Sequence, residues 1–331
     1  MKRLIQVGVG GMGAHWTGVV AASHKWQAAA YVDTNRKNLM AAAARHGMPR
    51  SRCYTSLARA LREIEADALL DVTPQQFRKD VCTAAMECNL DVLCEKPLTG
   101  NLRDAKTLVS RAQRLGRILM VAQNYRYTAL PQTVKRFLAQ GKLGTVGSVD
   151  IGFHKGPHFG GYREKMAFPL VLDMSIHHFD LVRFLMASDV RAVQGVTLCA
   201  PWNWFKGDAG VMAALELDTG SCVNYHASWV ANGWETPWNG NWRFDGSRGA
   251  LLWENDELYV SNSPAKRRKL RQVAWPLVGQ AGLLDAFARA VESRQQPETA
   301  AADNLKSLAV THALVRAVRE KRRVELRELL E

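Results

Sequence analysis

The sequence predicts two domains: an α/β domain on a doubly wound parallel sheet, residues 1–122, then an α+β domain with an open, largely antiparallel or mixed sheet, residues 123–331. Three observations predict this. The chain opens on a short apolar strand, Leu4-Ile5-Gln6-Val7, that enters Gly8-x-Gly10-x-x-Gly13. Strand and helix patterns then alternate as far as Val121, which implies a parallel sheet with helices on both faces. Beyond Gln123 come short neighbouring strands with turn residues such as Asp218-Thr219-Gly220, a texture of antiparallel or mixed pairing.

In chain order, residues 3–9 read as a strand, 12–23 as a helix and 28–32 as a strand. The alanine-rich 36–46 and the run 56–61 read as helices. Residues 68–72 form a strand reaching Thr73-Pro74, 76–89 a helix, and 91–94 a strand ending at Glu95-Lys96-Pro97. A helix over 101–115 and a strand over 118–121 complete the first domain. In the second, a helix over 131–140 leads to the strand 147–153 and a helix near 173–187. Strands follow at 191–198, 210–218, 221–230, 241–245, 249–254 and 257–260, and helices near 280–293 and 303–320 close the chain.

A chain of 331 residues suffices for two ordinary domains, and 47% hydrophobic content is that of a globular protein. No apolar run approaches the ~18 residues of a membrane span, so no membrane partner is expected. The N-terminal apolar stretch enters the glycine turn directly and reads as a core strand rather than a signal peptide. The six cysteines form no CxxC pair, which suits reduced thiols in a cytoplasmic protein and no zinc site. The net charge of +13 gathers at Lys266–Arg271 and at Arg316–Arg323. A solvated basic surface is the first reading and steering of an acidic substrate the second. No nucleic-acid-binding motif accompanies the charge, so no nucleic-acid partner is expected.

The glycine motif carries chemistry because of its setting. Ala29-Ala30-Tyr31-Val32-Asp33 reads as a second strand ending in a carboxylate, twenty residues past Gly13. Strand, glycine turn, helix, strand and acid together are the dinucleotide-binding fingerprint of a Rossmann domain. Gly8 permits the turn, Gly10 lets backbone approach a pyrophosphate, and Gly13 lets the helix pack on the sheet. Gly11 and Met12 would stand at the helix N-terminus, where unpaired N–H groups and the dipole favour phosphate. Asp33 would accept the adenosine ribose hydroxyls. It would repel a 2′-phosphate by roughly 4 kcal/mol at about 4 Å in an effective dielectric near 20. NAD is therefore favoured over NADP, although Arg36 could soften the preference.

Two further groups stand out. Lys96 lies at the tip of an apolar strand, where ligands bind beyond the carboxyl ends of parallel strands. It reads either as a fixed cation or proton donor, or as a surface lysine paired with Glu95. In Asp173-Met174-Ser175-Ile176-His177-His178-Phe179-Asp180, a helix would place Asp173 and His177 on one face. Such a carboxylate can orient an imidazole and stabilise its protonated form, as a general base requires. The same spacing also suits an ordinary helical contact. His178 and Asp180 read as structural, and the spacing matches no closed metal pattern.

These residues together resemble the glucose–fructose oxidoreductase/inositol dehydrogenase (Gfo/Idh/MocA) family. The matches are Gly8–Gly13, Asp33, Thr73-Pro74, Cys94-Glu95-Lys96-Pro97, Asn124-Tyr125-Arg126 and Asp173-x-x-x-His177-x-x-Asp180. The resemblance implies a nicotinamide enzyme acting on a sugar or cyclitol hydroxyl, with a cleft between domains. It implies Lys96, Asp173 and His177 as the catalytic group, and Thr73, Pro74, Glu95, Asn124 and Arg163 along the cofactor. Tyr125, Arg126 and His154 would join the catalytic residues around substrate. One departure is Arg78, which stands where many members carry a histidine after Thr-Pro-Asn.

The expected chemistry has His177, oriented by Asp173, take the alcohol proton while Lys96 stabilises charge on the same oxygen, or the two exchange roles. Trp202-Asn203-Trp204-Phe205, Trp229, Trp234, Trp238-Asn239 and Trp242 set aromatic faces beside amides. They suit a sugar ring, or else pack a sheet or a subunit interface. His154, Lys155, His158 and Arg163 would favour a sugar acid or another anionic sugar. A homodimer or homotetramer through the C-terminal sheet is expected. Two other readings stay open: an NAD-dependent glycosidase or lyase working by oxidation and elimination without net redox, and a non-catalytic nicotinamide sensor.

Overall fold

Short apolar strands buried on both faces dictate the first sheet. In the computed structural model, which describes residues 1–331, Ala68–Asp71 and Asp91–Cys94 are buried at every position. The strands β1 (Lys2–Val7), β2 (Trp26–Val32), β3 (Cys53–Tyr54), β4 (Ala68–Asp71), β5 (Asp91–Cys94) and β6 (Leu119–Val121) form one six-stranded sheet. Its order is β3-β2-β1-β4-β5-β6, and every pairing is parallel. The strand order reverses between β1 and β4, the topological switch point at which α/β sheets bind ligands. The connecting helices are α1 (Met12–Ala21), α2 (Arg36–His46), α3 (Leu57–Glu63), α4 (Arg78–Glu87) and α5 (Leu102–Leu115). Caps fix several ends: Asn35, Ser56 and Asn101 accept first-turn N–H groups, and Gly47 and Gly116 close helices in the left-handed conformation.

The chain divides into two compact units, residues 1–127 with 276–305, and residues 128–275 with 306–331. This differs from the expected division at residue 122. The helix α8 (Gln280–Ser293) belongs to the first unit because its apolar face covers that sheet. Leu283, Leu284 and Phe287 join Leu4, Trp16, Trp26, Leu93 and Met120 in one core. Phe287 stacks on Trp26 at 5.3 Å, and the Trp26 indole donates to the Leu284 carbonyl at 3.1 Å. Covering apolar area decides membership, and sequence order does not.

The second unit holds α6 (Ala129–Ala139), β7 (Val146–His154), α7 (Ser175–Met186), β8 (Val190–Leu198), β9 (Gly210–Leu217) and β10 (Cys222–Ser228). It continues with β11 (Asn241–Gly246), β12 (Gly249–Glu254), β13 (Glu257–Ser263), β14 (Lys266–Lys269) and β15 (Val324–Glu325). The nine strands run β14-β13-β12-β11-β7-β10-β9-β8-β15. Only β7 and β10 pair parallel, and the other pairings are antiparallel. Burial alternates along β10, so one face is covered and the other is open. The covered face meets α7, whose residues Ser175–Leu185 are all buried. β3, β14 and β15 are strands that the sequence did not announce. β14 is fully exposed and basic, the composition of a guarded sheet edge.

Candidate active site

The glycine loop is set by backbone constraints. Gly8 has φ +84°, and a Cβ there would lie 2.7 Å from the Val72 carbonyl oxygen. A Cβ on Gly13 would lie 2.2 Å from the Gly8 carbonyl oxygen, so α1 packs against its own turn only with glycine. Gln6, fully buried, donates to the Gly13 carbonyl at 2.8 Å and the Gly8 carbonyl at 3.1 Å. No side chain caps α1 at Gly11, and Met12 is exposed. The Gly13 and Ala14 N–H groups turn back to the Gly10 and Gly11 carbonyls at 2.8 and 3.1 Å, and no side chain blocks this end of the helix, where the dipole favours an anion. Asp33 accepts the N–H of Val9 at 3.0 Å and of Asn35 at 2.8 Å. Its carboxylate is thereby held against the loop. These residues fit a dinucleotide.

The loops after β4 and β5 lie at the same edge of the sheet. Asp71, fully buried, accepts the Thr73 hydroxyl at 2.6 Å and the Thr73 N–H at 2.9 Å. Burial pushes its carboxyl up, opposed by the Arg78 charge and the Thr73 hydrogen bonds. Glu95 accepts the Trp16 indole N–H from α1 at 2.7 Å and the Lys96 backbone N–H at 3.0 Å. It thus ties α1 to the backbone of Lys96, which is half-buried. Pro97 follows in a cis peptide. Arg78, at the start of α4 and buried, donates to the Thr73 carbonyl at 3.0 Å and to the Pro97 carbonyl.

In the second unit the expected helix over 173–187 has two parts. Residues Leu170–Met174 form a π-helical turn, and α7 begins at Ser175. Asp173 lies in that turn, a distortion frequent at functional sites. Its carboxylate accepts the Arg163 guanidinium at 2.7 Å. Arg163 also lies 5.1 Å from the ring centres of both Phe159 and Tyr162. Asp173 and His177 are both buried. His178 is held by the Tyr225 hydroxyl at 2.8 Å and the Trp238 carbonyl at 3.2 Å, and burial pushes its pKa down to about 4. Asp180 accepts the Ser307 hydroxyl at 2.9 Å. His178 and Asp180 are therefore structural.

Comparison with known proteins decides what this pattern is. Residues 2–123 match the model of an oxidoreductase family with an NAD-binding Rossmann fold, and residues 131–252 match the Gfo/Idh/MocA C-terminal domain. The chain belongs to the Gfo/Idh/MocA family. As a member it is an NAD-binding oxidoreductase. It is 24% identical to a 1,5-anhydro-D-fructose reductase from Ensifer adhaerens over 327 residues, 96% of each chain. Its fold is that of an oxidoreductase from Agrobacterium radiobacter in complex with NAD+, L-tartaric acid and magnesium (TM-score 0.90, 21% identity, 99% of each chain). It is also that of the WlbA dehydrogenase from Bordetella pertussis in complex with NADH and UDP-GlcNAcA (TM-score 0.81, 21% identity, 98% of each chain).

The other residues of the family pattern have these surroundings. Arg126 is buried and bonds Asp303 at 2.8 Å and the Glu298 carbonyl at 3.0 Å. It joins segments within its own unit, because the returning stretch 276–305 supplies acceptors that linear sequence does not place nearby. Asn124 and Tyr125, half-buried, occupy the 3₁₀ turn after β6. The His154 ring packs on His226 at 4.8 Å. That is the open face of the sheet, opposite the one carrying Tyr225 and His178, since side chains alternate along a strand. Lys155 pairs with Glu235 at 2.7 Å, and His158 stacks on Trp204 at 4.1 Å. The tryptophans divide: Trp229, Trp242 and Trp253 are core, while Trp202, Trp234 and Trp238 are exposed.

The basic clusters form surface ion pairs, among them Arg322 with Glu320 and Glu328, and Arg323 with Glu216 and Glu325. All six cysteines are free thiols, and no helix is long and apolar enough to cross a membrane. Sequence reasoning missed Gln6, Trp16 and Asp71. Gln6, polar within an apolar strand beside the motif, was the one visible signal.

Proposed function

We propose that this protein is an NAD-dependent dehydrogenase of a secondary hydroxyl on a sugar, sugar acid or cyclitol. The observation that carries the reading is the shared strand edge. The glycine loop, Thr73 and Lys96 leave the carboxyl ends of β1, β4 and β5, which are successive neighbours in one parallel sheet. Strands lie about 4.8 Å apart, so Lys96 starts two strands from the dinucleotide loop, within reach of a nicotinamide's substrate. The names of the relatives, a reductase of an anhydro sugar and inositol 2-dehydrogenases, support the substrate class.

Bound NAD would supply the hydride acceptor, and the chain supplies position and proton management. His177 takes the alcohol proton as carbon loses hydride, a general-base contribution of about 10²- to 10⁴-fold. Lys96 donates to the same oxygen and stabilises its developing charge. Asp173 carries charge complementary to the imidazolium, and Arg163 fixes its carboxylate. Thr73, Pro74, Glu95 and Asn124 are the further cofactor-lining residues of this proposal. Lys155 and Arg163 already face acidic partners, so a neutral polyol or sugar is the first substrate to test. Self-association through the open sheet face, where Val196, Leu198 and Met212 are exposed, belongs to the same proposal.

The test is NADH absorbance with a panel of sugars, sugar acids and cyclitols. Net NADH formation with at least one of them is expected. Product release without net NADH, or cofactor binding with no turnover across the panel, would sink the dehydrogenase reading.

A further inference from the structure

Arg78 opens α4 beside the loops that follow β4 and β5, and its contacts give it a purpose. The residue is 6% exposed. Its guanidinium donates from Nε to the Thr73 carbonyl at 3.0 Å and from Nη1 to the Pro97 carbonyl. It therefore ties together the two loops that leave β4 and β5. Lys96 lies between two such restraints. Its N–H is held by Glu95 at 3.0 Å on one side, and the carbonyl of the next residue is held by Arg78 on the other. The lysine amine rides on a flexible four-carbon arm, so the position of that amine depends on how firmly the root of the arm is fixed.

We infer that Arg78 is a positioning residue for catalysis: it clamps the Thr73 and Pro97 carbonyls and thereby sets the point from which Lys96 reaches the reacting oxygen. The inference rests on the role proposed above for Lys96. A planar fork of fixed N–H donors meets two separate carbonyls in a way a single ammonium does not. A competing role is visible too. Arg78 supplies positive charge near the buried Asp71 carboxylate, and that role needs only a cation.

Two variants and one cycle separate these. Arg78→Lys keeps the charge and loses the fork. It should melt above Arg78→Gln while kcat falls about 10²-fold, the scale of a misplacement near 1 Å. Arg78→Lys with wild-type kcat would overturn the inference in favour of simple charge compensation. Arg78→Gln loses both, and should lower kcat and thermal stability together. In a Lys96→Ala background, Arg78→Lys should change kcat less than about threefold, because a residue acting through Lys96 has nothing left to position. Full additivity of the two losses would also overturn it. If Lys96→Ala itself turns over normally, the assignment of Lys96 fails, whatever Arg78 does. If Lys96→Ala is inactive and Arg78→Lys is normal, only the present inference fails.

Discussion

The two units organise chemistry in different ways. In the first, the positions proposed for function follow the ends of strands: Gly8 after β1, Thr73 after β4, Lys96 after β5. A parallel sheet delivers all of them to one edge, so short motifs at strand ends suffice to find them. In the second, Asp173 and His177 sit where a π turn joins a fully buried helix. Asp173 pairs with Arg163, ten residues earlier, and the neighbouring His178 is held by Tyr225 and Trp238 from far along the chain. Parallel sheets make function legible by their geometry, whereas an α+β layer makes it depend on packing.

Several measurements would break or sharpen that contrast. The largest effect should come from Lys96→Ala and His177→Ala, one from each unit. Each should lower kcat by about 10³-fold or more, within the usual range for general acid–base groups and charge stabilisers. NAD affinity, read by fluorescence titration, should stay nearly unchanged. Wild-type rates in either variant would remove that unit from the chemistry.

Next, Phe287→Ala should destabilise the protein by about 3–5 kcal/mol, because the ring is buried and stacked on Trp26. Urea unfolding measures it. A loss below 1 kcal/mol would mean that α8 is not part of the first unit's core.

The second unit should carry an acid sensitivity. His178 is held near a pKa of about 4 by burial, whereas an unfolded histidine titrates near 6.5. The unfolded chain therefore binds the extra proton first. Stability is full above about pH 6.5 and falls as pH drops towards 4, by up to about 3 kcal/mol. His312 and His154, also shifted down by burial, act with the same sign. A urea midpoint that stays flat between pH 7 and 5 would contradict the buried neutral imidazole.

The smallest effect should be at the cofactor. Asp33→Ala should weaken NAD about tenfold, the worth of hydrogen bonds to one charged group, and raise relative use of NADP. An unchanged NAD/NADP ratio in initial rates would remove Asp33 from the ribose.

Much of the first unit was legible because its signals are local. Gly8, Gly13 and Asp33 declare themselves by conformational need and by spacing along one chain segment. Strand ends at Pro74 and Pro97 follow from local backbone rules. Trp16 and Arg78 were not legible in their roles, since each bonds a loop distant in sequence. In the second unit the strands at 191–198, 210–218 and 249–254 were readable from short apolar runs. Which face His154 occupies was not, because a shift of one residue moves every side chain to the other side of a sheet. Arg126 shows the same limit: a motif places the residue, and its partner Asp303 decides where the charge is directed.

The sequence by itself determined the alternating sheet, the dinucleotide loop and which side chains are proposed for the chemistry. All of these depend on backbone preference and periodicity over a few neighbouring residues. Tertiary structure alone decided that 276–305 returns to the first unit, that Asp173 faces Arg163 and that Arg78 grips two loops. Those outcomes depend on which apolar surfaces cover each other and which buried polar groups find partners, and such terms join residues far apart in the chain.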